Sequence, residues 1–304
     1  MKTIDENEPI GARSPAALRA GSEVLKVVVE HTDFIRVLNS CIDLIDTLRT
    51  LKMPSGILIQ AEPGMGKSLI LQMIKNHLTR SAGMSRTESV LELRLDSAVD
   101  THKLAGASML ALGYPALPTR PNLETMNHMV DKGMERRRPL AMLLDEMQHV
   151  CEGNRDITAR AVTDWLKVRM DRCNMPVIGA GTRALERLNT INPQFISRAS
   201  ATFVLSPFEF GDPWRQLLGG FVQQVTAVKL DVINGALAKP LHTASKGNLR
   251  ALKKLLMYAC MYAADRKDAT VARDDFIKAY EDANGSAPER VNPFVQPLST
   301  IKAS

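Results

Sequence analysis

Aromatic residues are few: eight Phe, four Tyr and two Trp supply 5% of the 304 residues. None alternates with basic side chains, so a platform that stacks single-stranded bases is not expected. Cysteine is also sparse. Cys41, Cys151, Cys173 and Cys260 lie far apart with no Cys-x-x-Cys spacing, which argues against a zinc site or a disulfide framework and makes the cytosol the default compartment. No segment approaches the roughly 18 consecutive apolar residues of a membrane span. The first residues, Met1-Lys2-Thr3-Ile4-Asp5-Glu6-Asn7-Glu8, carry acids where a signal peptide needs a basic start and an apolar run. The expectation is a soluble, cytoplasmic protein with no membrane partner. What is present suits globular domains: 45% hydrophobic residues exclude a disordered or fibrous chain. Lys plus Arg at 39 against Asp plus Glu at 33 leaves a net charge of +6 and a pI near 9.2, compatible with a polyanionic partner such as nucleic acid.

Hydrophobic spacing divides the chain into four parts. Residues 1–30 hold Pro9, Gly11, Pro15 and Gly21 with little apolar periodicity and read as an arm that packs weakly or orders on a partner. Residues 31–210 open with an amphipathic helix over Thr32–Leu51, on which Phe34, Ile35, Leu38, Cys41, Ile42, Ile45 and Leu48 recur at three-to-four residue steps. Five short apolar runs follow at Gly56–Ala61, Val90–Leu95, Leu140–Leu144, Pro176–Gly181 and Thr202–Leu205, separated by stretches long enough for helices. This is the rhythm of an α/β fold with a parallel five-stranded sheet covered by helices on both faces. Residues 211–284 read as a small helical domain, with helices at Trp214–Leu230, Asp231–Ser245, Leu249–Arg266 and Ala272–Asp282. Residues 285–304, with Pro288, Pro293 and Pro297, read as an extended tail.

The strongest motif is Ala61-Glu62-Pro63-Gly64-Met65-Gly66-Lys67-Ser68, between the first strand and the helical run Leu69–Leu78. It reads as a Walker A loop, although Ala61 stands where the usual pattern has glycine. Glu62, Pro63, Gly64, Met65, Gly66, Lys67, Ser68 and Leu69 are the expected ATP-binding segment. Its backbone N–H groups form an anion nest, Lys67 reaches the β- and γ-phosphates, and Ser68 is a ligand for Mg²⁺. The run Leu140-Ala141-Met142-Leu143-Leu144-Asp145-Glu146 reads as a Walker B strand. There Asp145 is the second nucleotide and Mg²⁺ residue, and Glu146 is the general base that polarises the attacking water. The fourth strand ends Ile178-Gly179-Ala180-Gly181-Thr182, which makes Thr182 a sensor-1 candidate beside the γ-phosphate. In Asn192-Pro193-Gln194-Phe195-Ile196-Ser197-Arg198, Arg198 is a candidate arginine finger acting in trans or, alternatively, a solvated arginine before a strand. Gly247-Asn248-Leu249-Arg250 resembles a sensor-2 element in which Arg250 reports the γ-phosphate to the helical domain; a surface arginine is the other reading.

Together these residues resemble the AAA+ ATPases over roughly Thr32 to Asp282, with 31–210 as the ATPase core and 211–284 as its lid. The approach helix, the Gly-Met-Gly-Lys-Ser loop, Leu144-Asp145-Glu146-Met147-Gln148-His149, Gly179-Ala180-Gly181-Thr182 and Phe195-Ile196-Ser197-Arg198 look like the TniB/TnsC family of transposition ATPases. The resemblance implies an ATP-dependent regulator that oligomerises as a ring or filament on duplex DNA, connects a target-site selection factor to the transposase, and disassembles on hydrolysis. It also implies that the segment after the second strand faces DNA, with Lys103 as the first phosphate contact and Thr119 and Arg120 as a second. Arg136-Arg137-Arg138 reads instead as solvated charge leading into a buried strand, and His149 as a local contact. A helicase loader, or a nucleotide-gated scaffold with negligible hydrolysis, remains as an alternative.

Overall fold

A computed structural model describes residues 13–53, 55–81, 90–116, 121–152, 156–285 and 291–295. The elements in chain order are α1 (Pro15–Lys26), α2 (Thr32–Thr50), β1 (Gly56–Ala61), α3 (Lys67–Ser81), β2 (Leu91–Arg94), α4 (Thr101–Ala111), α5 (Leu123–Arg137) and β3 (Met142–Asp145). After these come α6 (Asp156–Cys173), β4 (Val177–Gly181), α7 (Leu188–Ile191), α8 (Pro193–Ile196), β5 (Ala199–Leu205), α9 (Asp212–Gln224), α10 (Ala238–Ser245), α11 (Leu249–Ala264) and α12 (Arg273–Asn284). They form two compact units, Thr32–Ser206 and the residues up to His31 together with those from Pro207 onward.

In the first unit the five strands lie in the order β2-β3-β4-β1-β5, and every pairing is parallel. The chain leaves β1 for the far edge, returns through β3 and β4, and then passes β1 to place β5. Such a reversal opens a crevice at the carboxyl ends of the strands. All six residues of β1 are buried, and Met142, Leu143 and Leu144 of β3 are fully inaccessible, as expected of strands covered on both faces. The two edge strands depart from that expectation. In β2, Leu91 and Leu93 are buried while Glu92 and Arg94 are exposed, and β5 also alternates, because an outer strand is covered fully on one face only.

The second unit corrects the reading of residues 1–30 where they are described. Helix α1 starts at Ser14, whose hydroxyl accepts the Ala17 N–H at 3.0 Å, with Pro15 in the first turn. It buries Ala17, Ala20, Gly21 and Val24 against α11; a Cβ on Gly21 would stand 3.0 Å from Met261 Sδ. Ala17, Ala20, Gly21 and Val24 recur at helical spacing, a period that Pro15 and Gly21 obscure because they read as breakers. Glu23 accepts the Thr226 and Ala227 N–H groups, each at 2.9 Å.

Two helix boundaries also differ from the spacing. Helix α9 ends at Gln224, after which Val225 is extended. The expected helix over Asp231–Ser245 is broken into a 3₁₀ turn at Asp231–Asn234 and α10, because Asn234-Gly235 interrupts it. Pro240 sits in the first turn of α10, where a missing N–H costs nothing. In the segment expected to be an extended tail, Phe294 is fully buried. It stacks on Phe276 at a centroid separation of 5.2 Å, and its carbonyl accepts Arg273 Nε at 2.6 Å. Among the described residues no helix is long and apolar enough to cross a membrane.

Candidate functional site

The carboxyl ends of β1, β3 and β4 bring the nucleotide motifs together. Beyond β1 the chain turns sharply through Glu62–Gly66, where Gly64 and Gly66 have φ of 88° and 96°, backbone that L side chains rarely adopt. Met65 is 2% exposed and anchors the loop from beneath. Lys67, the first residue of α3, is 6% exposed, and its ammonium donates to the Ala61 carbonyl at 2.7 Å and the Glu62 carbonyl at 3.4 Å. The lysine head therefore lies inside the loop. No acid occupies the first turn of α3, so the positive end of that helix is not offset locally. Ser68 is exposed and Leu69 half-buried.

Walker A and Walker B meet at Ser68 and Asp145, where Ser68 Oγ donates to Asp145 Oδ2 at 2.7 Å. Two adjacent hard oxygen donors beside a phosphate nest suit Mg²⁺, which takes few protein ligands and completes its shell with phosphate and water. Glu146 follows with φ 56°, and its N–H donates to Asp145 Oδ1 at 2.9 Å. This turn carries the Glu146 carboxyl away from the line of β3. Thr182 follows β4 directly, is half-buried, and caps a 3₁₀ turn at Arg183–Arg187 with its hydroxyl.

A residue with no role assigned from sequence joins these pieces. Gln148, 5% exposed, donates through Nε2 to Glu146 Oε2, and its Oε1 accepts the Thr182 N–H at 3.2 Å. The available clue is the small-residue run Gly179-Ala180-Gly181, which leaves room for a side chain from a neighbouring element.

Arg198 lies elsewhere. Its carbonyl accepts the Gly56 N–H at 2.9 Å, at the amino end of β1, whereas the phosphate loop leaves the carboxyl end. Five residue steps at a rise of about 3.3 Å separate those ends by roughly 16 Å. The guanidinium forms an ion pair with Asp171 on α6. The approach to Arg198 is fixed by Asn192, which is fully buried; its Nδ2 donates to Thr163 Oγ1 at 2.8 Å and Asp164 Oδ1 at 3.0 Å.

Arg250 belongs to the other unit and is exposed in the first turn of α11, a helix capped by Asn248 Oδ1 accepting the Ala251 N–H at 3.1 Å. Lys103 is exposed on α4, with its ammonium donating to the Ala98 carbonyl at 2.8 Å. It borders a cavity of about 720 Å³ that Arg94 and His102 also line, separate from the phosphate loop. Thr119 and Arg120 lie outside the described residues. Arg136 rests over the Tyr114 ring at 5.6 Å, Arg138 terminates α5 in left-handed backbone, and His149 Nδ1 is 2.8 Å from Glu152 Oε2, all local contacts.

The fold is similar to several solved structures. Aeropyrum pernix ORC1 protein in complex with DNA has a TM-score of 0.65 at 16% identity, over 86% of this chain and 69% of that one. Drosophila ORC bound to DNA has a TM-score of 0.66 at 15% identity, covering 95% and 70%. Aeropyrum pernix ORC2 protein, in ADPNP–ADP complexes, has a TM-score of 0.59 at 14% identity, covering 81% and 68%. At these identities the likeness establishes the AAA+ fold. No curated protein sequence matches the chain. The model of the bacterial TniB protein matches residues 25–209, a span that contains the phosphate loop, the Asp145-Glu146 pair, Thr182 and Arg198, and the chain therefore belongs to the TniB family.

Proposed function

We propose that the protein is an ATP-hydrolysing regulator of transposition, which assembles on duplex DNA with ATP bound, links a target-site selection factor to the transposase, and disassembles on hydrolysis. The observation that carries the catalytic half is the 2.7 Å bond between Ser68 and Asp145, which closes the two nucleotide motifs into one site. Family membership, a net charge of +6 and a fold shared with DNA-bound ORC proteins support the DNA half.

In this reading the loop from Glu62 to Leu69 wraps the phosphates, and Lys67 holds the β- and γ-phosphate oxygens. Ser68 and Asp145 would hold Mg²⁺, which when bound neutralises charge on those oxygens. Glu146 accepts a proton from water as its oxygen attacks the γ-phosphorus. The bond to the β–γ bridging oxygen breaks, and ADP and phosphate leave. Thr182 stands at the strand end facing the γ-phosphate. Arg198, remote from its own loop, serves the nucleotide of a neighbouring subunit, and Arg250 reports on nucleotide from residues 211–284, which act as a lid on the core at 31–210. Lys103, with Thr119 and Arg120, contacts DNA phosphates, which gives sequence-tolerant and salt-sensitive binding.

Electron microscopy of the protein with linear duplex DNA, comparing a non-hydrolysable ATP analogue, ADP and no nucleotide, tests the assembly. Rings or filaments confined to the ATP analogue are expected, whereas a monomer in all three conditions overturns both the trans role of Arg198 and the encircling of DNA. Single-turnover hydrolysis with and without DNA tests the chemistry, and its absence leaves a nucleotide-gated scaffold. Capture of a replicative helicase in place of a transposase would mark a helicase loader.

A further inference from the structure

The glycines of β4 are explained by packing. A Cβ built on Gly179 would stand 2.2 Å from Met147 Sδ, and one on Gly181 would stand 2.9 Å from the Gln148 backbone nitrogen and 3.0 Å from Gln148 Oε1. The strand is bare so that the 3₁₀ turn Met147–Val150 can lie directly against it. That closeness lets one side chain, Gln148, touch both the acid after β3 and the backbone at the end of β4.

The chemistry of an amide suits the position. Gln148 presents a donor to the Glu146 carboxylate and an acceptor to the Thr182 N–H, and it keeps that polarity at every ordinary pH. It engages Glu146 Oε2 only, leaving the second carboxylate oxygen to accept from water. Glutamate would present an acceptor to an acceptor, leucine could make neither bond, and asparagine is one methylene shorter. Because Gln148 is almost inaccessible, a partner lost here is not replaced by bulk water, which is the condition under which a missing hydrogen bond matters most.

We infer that Gln148 is a positioning residue, which orients the Glu146 carboxylate and ties it to the end of β4 so that the base and Thr182 move as one piece. The inference rests on the reading of Glu146 as the base for ATP hydrolysis. It differs from that reading in assigning the orientation of the base to a neutral side chain from the adjacent turn.

The test uses the full chain carrying Gln148→Ala, Gln148→Glu or Gln148→Asn, beside wild type and Glu146→Gln. Gln148→Ala is expected to lower the single-turnover hydrolysis rate by about tenfold or more. Its affinity for a fluorescent ATP analogue should stay within about twofold of wild type. Adding Glu146→Gln should cause no further loss beyond that single variant, since the two residues act through one oxygen. Gln148→Asn should not rescue. Gln148→Glu, which sets an acceptor against the Glu146 carboxylate, should lose rate as Gln148→Ala does while keeping its nucleotide affinity. A readout independent of turnover is amide hydrogen exchange at Thr182 without nucleotide, which should quicken in Gln148→Ala. Unchanged hydrolysis in Gln148→Ala beside an active wild type overturns the role of Gln148. So does a fall in hydrolysis that is matched by a parallel fall in nucleotide affinity and melting temperature in Gln148→Ala. Absence of hydrolysis by wild type overturns the ATPase reading instead, and Thr182 exchange distinguishes the two failures.

Discussion

Ser68 and Asp145, 77 positions apart in the sequence, share a hydrogen bond of 2.7 Å at the junction of the two nucleotide motifs. Neither oxygen is buried deeply, so both are accessible to a cation arriving with nucleotide. Asp145→Ala should remove most of the Mg²⁺-dependent part of ATP affinity and leave the Mg²⁺-independent part largely intact. Titration of a fluorescent ATP analogue with and without Mg²⁺ checks this, and an undiminished Mg²⁺ effect would remove Asp145 from the metal site.

Lys67→Ala and Glu146→Gln should separate binding from chemistry. The first withdraws a charge-assisted contact from the phosphates and should weaken ATP binding by about 100-fold. The second should bind ATP normally, lose on the order of 10²–10⁴ in hydrolysis rate, and give an over-stable, nucleotide-trapped assembly. Ordinary turnover by the Glu146→Gln protein would contradict the assignment of the base.

Arg198 can be tested by complementation. Arg198→Ala alone and Lys67→Ala alone should each hydrolyse ATP at least about 10³-fold more slowly than wild type. Mixing them should restore part of the activity, because one variant has an intact loop and the other an intact arginine. No recovery at any ratio would place the arginine outside a shared site.

Much of this site is legible in the sequence for a local reason. A phosphate loop and an acid-tipped strand are continuous segments, so residue order alone picks out Lys67, Ser68, Asp145 and Glu146 as candidates, and the structure brings Ser68 and Asp145 together. Helix α1 escapes notice because Pro15 and Gly21 read as breakers, although Ala17, Ala20, Gly21 and Val24 keep helical spacing. Gln148 escapes for a different reason: its meaning comes from Thr182, 34 positions away, and only the folded sheet brings them together. Arg198 lies between the two cases, since its position at the opposite edge of β1 follows from the strand register, while its partner Asp171 is visible only in the structure.

Gly247→Ala should destabilise the unit that contains α9–α12 by more than about 3 kcal/mol. Gly247 has φ 71°, and a Cβ there would lie 2.0 Å from the Phe208 carbonyl oxygen, to which no flexible side chain can yield. Denaturant unfolding of the full chain checks it, and a loss below about 1 kcal/mol would mean that the backbone relaxes at this point.

Glu23 links stability to pH. The Thr226 N–H first, then the Ala227 N–H, hold its carboxyl below the usual range. In the unfolded chain the group binds its proton at higher pH, so its contribution is present above the unfolded pKa and is lost as pH falls through the folded one. Glu23→Gln should therefore destabilise the protein at pH 7 and flatten its acid sensitivity below about pH 4.5. Urea midpoints across pH 3 to 7 measure this, and an identical acid slope in the variant would exclude the linkage.

The phosphate loop leaves the carboxyl end of β1, whereas Arg198 meets its amino end. If the arginine completes a neighbour's site, each subunit offers a nucleotide on one face and a guanidinium on the other, and successive subunits stack head to tail. An open row of such subunits has direction: one end displays a loaded nucleotide awaiting an arginine, the other an arginine awaiting a nucleotide. A row of n subunits then contains n − 1 complete sites, so growth and loss at its two ends follow different rules, and a partner that reads only one end also reads which way the row points.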